Sequence, residues 1–179
     1  MWQRISVSCN HRNFSILQME KSKEQNAVAA LLAEYKKAIK ELQDVIENLE
    51  PTKFTKIADP LTDNPDCKSI QTVLAHVVSS GYSYCVCILN LKDPEIKRPA
   101  KILRASVAEY KKDLDDVLQF TTKTFADIGD NELEEFDNEK KMKTSWGQFY
   151  DIEQIMEHAI VHILRHRRQV EKFKKEVQG

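Results

Sequence analysis

Apolar residues recur at three- and four-residue steps along four stretches of this chain, and that period dictates amphipathic helices. In the first stretch, from about Lys21 to Leu49, the stripe includes Val28, Leu31, Leu32, Tyr35, Ile39, Leu42 and Ile46, with Lys and Glu between them. Pro51 stops it. Ser69 is placed to cap a second helix, because its hydroxyl can accept a free backbone N–H. Ile70, Val73, Leu74, Val77, Tyr84 and Ile88 carry that helix to about Leu91, and Pro94 closes it. Pro99 suits the first turn of a third helix, with a stripe from Ile102 and Leu103 through Tyr110, Leu114 and Val117 to Phe125. Asp151, with Gln154 three residues on, resembles a capping box that opens a fourth. Four long amphipathic helices and no convincing strand predict an all-α four-helix bundle, with long connections before the second and fourth helices.

The totals exclude several classes. At 179 residues the chain suits one domain with a real core. Its 27 basic residues are balanced by 28 acidic ones, so no basic excess draws in nucleic acid. Four glycines and five prolines favour long helices over a turn-rich sheet protein. No apolar run approaches the roughly 18 residues that span a bilayer, so no membrane segment is expected. Cys9, Cys67, Cys85 and Cys87 form neither a disulfide framework nor a C-x-x-C knuckle. They read as reduced thiols of a cytoplasmic protein.

Residues 1–18 carry no helical stripe and read as an N-terminal extension, a disordered tail or an upstream start ahead of Met19. The bundle domain is then 19–179. His11 falls in that extension and has no assigned role.

Chemistry is suggested by the remaining histidines. His158, His162 and His166 follow one another at four-residue spacing, which stacks side chains on one face of a helix. His76 lies on the second helix. Two imidazoles at i and i+4 can ligate one ion from a rigid helix, and a third from a neighbour completes a three-histidine site with room for water. Four-residue steps drift by about 40° each, so the three in a row rarely reach one ion, and one outer member is expected to lie beside the site. If the second and fourth helices run parallel, His76 and His162 sit at depths of roughly 10 and 16 Å, within about one turn. An antiparallel pairing matches less well. A connection of about seven residues makes the second and third helices antiparallel neighbours. HAIVH places Ala159 where a zincin needs its glutamate base, which sets that chemistry aside.

A histidine in VLAHVV behind a serine cap, followed late in the chain by H-x-x-x-H-R-x-Q, resembles the DinB/YfiT-like superfamily. Members usually end in H-R-G-Q; here HRRQ stands at His166 to Gln169, with Arg168 replacing glycine. The resemblance implies a four-helix bundle, often dimeric, so a homodimer is the partner to look for. It implies metal ligands at His76, His162 and His166, commonly holding zinc or nickel. It also implies a metal-dependent enzyme that activates water or a thiol for hydrolysis or group transfer on a small molecule. His158, Tyr84 and Trp146 are candidates for residues around that site. Trp146, Phe149 and Tyr150 read as a hydrophobic lid over the bundle end. The competing reading is a non-enzymatic bundle, an interaction or dimerisation module with a vestigial histidine cluster.

Overall fold

The computed structural model describes residues 26–177. The first helix, α1, spans Ala27–Ile46 and is followed by a single turn, α2, at Pro51–Phe54. The second long helix is α3 (Ile70–Leu89), the third α4 (Val107–Thr124) and the fourth α5 (Ile152–Glu176). The N-terminal extension and the start expected for the first helix at Lys21 lie outside the described residues. The architecture is an all-α bundle with one very small sheet, as the periodicity predicted.

Local chemistry sets the ends. The Ser69 hydroxyl accepts the Thr72 N–H, and the Thr72 hydroxyl accepts the Ser69 N–H in return, closing a capping box on α3. Asp151 and Gln154 do the same for α5. Asn26 caps α1, and the Asp130 carboxylate accepts the next two N–H groups, of Ala27 and Val28. Inside the bundle, Tyr35, Leu42, Leu74, Tyr110, Leu114 and Ile155 are almost wholly buried. Each such side chain contributes about 1.5–3 kcal/mol relative to exposure.

The third helix departs from the sequence expectation. It starts at Val107 rather than near Pro99, because Ser106 caps it and the Glu109 carboxylate accepts from the Ala105 N–H. Ile102 and Leu103 are therefore 52% and 58% exposed instead of entering the core. The connection 90–106 is a strap that returns alongside α3. Arg98 binds the Ser79 hydroxyl, and the Gln71 side-chain amide donates to the Arg104 carbonyl nearer the start of that helix. Arg104 is clamped to Asp113 by two hydrogen bonds of 2.7 and 2.9 Å. The strap delivers α4 to the same end as α3, so these helices run parallel: Gln71 meets Tyr110, and Cys85 meets Thr121. The antiparallel expectation fails because the connection is a full crossover rather than a short turn.

The second reversal concerns α3 and α5. His76 meets His166, while Tyr84 meets His158, so the two helices are antiparallel. Helical depth could not decide this. His162 and His166 flank the midpoint of α5, and their depth is the same counted from either end.

Two further expectations need correction. Ile70–Leu89 contains no Asp, Glu, Lys or Arg, and with a mean hydropathy of 1.5 it is long and apolar enough to cross a membrane. Its uncharged Ser, Thr, Gln, Tyr and His residues hid that property, and half of it is buried within the bundle. Strands do occur: β1 (Met142–Lys143) pairs antiparallel with β2 (Phe149–Tyr150). Gly147 turns the hairpin at φ +89°, a conformation that L side chains rarely adopt, and the Thr144 hydroxyl and amide both bind Gln148. Strands of two residues carry no period to read.

Candidate metal centre

His76 is the seventh residue of α3, and His162 and His166 stand one turn apart on α5. Helix contact brings the three imidazoles together. His162 Nε2 lies 2.9 Å from His76 Nε2 and 3.2 Å from His166 Nε2. One nitrogen from each ring lies within 4.8 Å of the others, a group able to hold a metal ion. Ligands at about 2.0–2.1 Å in tetrahedral array would be about 3.3 Å apart, close to the spacings found.

The far side of each ring decides which nitrogen is free. Asp66 Oδ2 stands 3.2 Å from His76 Nδ1, and Gln169 Oε1 lies 2.8 Å from His166 Nδ1. Both neighbours are acceptors, so both rings carry their proton on Nδ1 and turn an Nε2 lone pair inward. Among the described residues, His162 Nδ1 is buried with no hydrogen-bond partner. If the His162 proton sits on Nε2, it can serve one neighbour well and leaves the other lone pair facing it. If it sits on Nδ1, that proton is orphaned and three lone pairs converge. A cation bound by all three Nε2 atoms takes up those converging lone pairs, with the His162 proton on Nδ1, and the donor set fits a divalent metal.

Electrostatics point the same way. Burial, reinforced by His166 and His76, pushes His162 down to about 3. Burial also lowers His76, against the pull of Asp66, and lowers His166, against Gln169. At neutral pH all three are neutral, the form that ligates metal. Burial works against the Asp66 carboxylate, yet Lys101 and His76 together hold its pKa below the ordinary value.

The other candidate residues form an aromatic wall on one side. His158 stacks on Trp146 with ring centres 4.8 Å apart and planes at 18°. Tyr84 meets His158 and His162 edge-on at 5.6 and 5.8 Å. Tyr150 adds a further contact to His158. The hairpin thus packs on His158, near the start of α5, and both Trp146 and Phe149 are about half exposed. Burial pushes the Tyr84 phenol up to about 12. It stays protonated at neutral pH and cannot act as a base. Arg168, where glycine is usual in the motif, is exposed on α5 and does not crowd the centre.

Two residues beside the centre escaped the sequence reading. Gln169 was visible only as a motif letter, although its three-residue spacing from His166 puts it within reach along the helix. Asp66 sits in a one-turn 3₁₀ helix (Pro65–Cys67) inside a connection rich in Asp, Asn and Pro, where one carboxylate is indistinguishable from its neighbours.

A bundle in which one histidine from α3 meets an i, i+4 pair from α5 defines a histidine-centred helical protein. The chain belongs to the DinB family, which it matches over residues 12–174. Comparison with curated proteins and with solved structures gives no match.

Proposed function

We propose that this DinB-family protein is a metal-dependent enzyme in which His76, His162 and His166 hold one divalent ion, zinc or nickel, and act on a small molecule. The observation that carries this reading is the convergence of the Nε2 atoms of His76, His162 and His166 from two helices. A metal held by these three residues would supply Lewis acidity, lowering the pKa of water or a thiol at the site. The chain's own residues do the rest. Asp66 and Gln169 hold two imidazoles in the ligating tautomer. Tyr84, Trp146 and His158 wall one side against water and offer aromatic surface to a substrate. The reaction class is hydrolysis or group transfer.

Metal analysis of the purified protein, and of alanine variants at His76, His162 and His166, tests the reading. One equivalent of metal in the parent and a substoichiometric amount in each variant is expected. Full metal in the His162→Ala and His166→Ala proteins would sink it. A parent that never takes up zinc or nickel above pH 7 favours the non-enzymatic bundle.

A further inference from the structure

We infer that Asp66 and Lys101 form a positioning pair that sets His76 as the third ligand from outside the bundle, an inference that rests on the metal-binding reading above. The three imidazoles are supported unequally. His166 is held by a neutral amide of its own helix, one turn on. Among the described residues, none bonds to His162 Nδ1. His76 has a carboxylate at its outer nitrogen, that of Asp66, supplied by the connection ahead of α3. The second Asp66 oxygen is bound by Lys101 from the strap that joins α3 to α4. Two connections thus meet behind one ligand.

The arrangement has a physical consequence. His162 and His166 share a rigid helix, so their separation is fixed by helical geometry. His76 comes from another helix, and only its ring orientation decides whether the donor set has two nitrogens or three. A carboxylate at 3.2 Å from Nδ1 fixes both the tautomer and the ring plane, and raises the basicity of the ligating nitrogen. Lys101, bound to the other Asp66 oxygen, keeps that carboxylate aimed at the ring. Asp66 and Lys101 are about a quarter and two-fifths exposed, so the pair reaches the surface while its effect falls on the half-buried ring.

The test uses the full chain with Asp66→Ala, Asp66→Asn and Lys101→Ala substitutions. Two quantities are measured: zinc affinity by competition with a chromophoric chelator, and the His76 tautomer in metal-free protein by long-range ¹H–¹⁵N correlation. Loss of such an outer partner weakens metal binding by about 10–100-fold. That loss is expected for Asp66→Ala, together with a shift of His76 toward the Nε2–H form and unchanged His166 signals. Asp66→Asn keeps an acceptor and retains the tautomer, with a smaller loss of affinity. Lys101→Ala falls between that protein and the parent. A role confined to anchoring the strap would lower the melting temperature and leave both readouts at parent values, and that result overturns the inference. If the parent itself takes up no zinc, the metal-binding reading fails separately. The tautomer alone then decides: a shift in Asp66→Ala supports positioning, and no shift overturns it.

Discussion

His76 Nε2 and His162 Nε2 lie 2.9 Å apart, although the residues are 86 positions apart in the chain. Two nitrogens at that distance, half-buried and close to a third, resist protonation together. This has a consequence for the metal-free protein. Burial holds His76, His162 and His166 below the ordinary histidine value of 6.5, His162 down to about 3. The unfolded chain titrates near 6.5, so between that pH and about 3 it takes up protons that the folded state refuses. Stability is fully present above about 6.5 and is lost as the pH falls through this window. The slope for His162 alone reaches up to about 1.4 kcal/mol per pH unit. Urea denaturation of chelator-treated protein is expected to give a lower midpoint at pH 5.5 than at pH 7.5, with a flatter dependence in His162→Gln. A midpoint that rises on acidification contradicts it.

Gln169 supports His166 through a 2.8 Å contact at Nδ1. Replacing it with alanine leaves all three ligands in place but frees the His166 ring to turn. Zinc affinity is expected to fall about tenfold, the lower end of the usual cost of losing an outer partner. Competition titration reads this directly, and an affinity within twofold of the parent would show that the helix alone orients the ring.

Helix identity was legible because period and caps agree: Ser69 and Asp151 both close the capping boxes their sequences suggest. Helix direction was not. The strap from Asn90 to Ser106 contains Ile102 and Leu103, which extend the apolar stripe of α4 on paper and lie exposed in space. Its true length makes it a crossover, and that reverses the pairing of α3 with α4. The three histidines could be grouped by spacing and motif, since one helix carries two of them. The Asp66 carboxylate could not, because its place behind His76 depends on how two irregular connections meet, and irregular backbone leaves no period.

His158 belongs to the aromatic wall, not to the convergent set. Its ring centre is 6.2 Å from that of His162, and its face is stacked on Trp146. His158→Ala and Trp146→Ala are therefore expected to keep one equivalent of metal with affinity within about twofold of the parent, since neither removes a ligand or its partner. Loss of stoichiometric metal in His158→Ala would move that residue into the donor set.

At Gly81, α3 packs tightly against its neighbours. A Cβ built there meets Val117 Cγ2 at 2.9 Å and the Tyr35 hydroxyl at 3.0 Å. Alanine would favour the helix by roughly 0.5–1 kcal/mol over glycine at an exposed site. Overpacking a filled core costs about 1–3 kcal/mol. Val117 and Tyr35 are both buried, and each lies on a different helix, so neither can yield without moving its backbone. The steric cost wins, and Gly81→Ala is expected to destabilise the protein by about 1 kcal/mol. For a chain of this size that lowers the melting temperature by about 2–4 °C. The glycine sits five residues beyond His76, so the displaced α3 also carries a ligand with it. Scanning calorimetry of the two proteins checks the first effect, and an unchanged or higher melting temperature would mean that α3 and α4 can separate without cost.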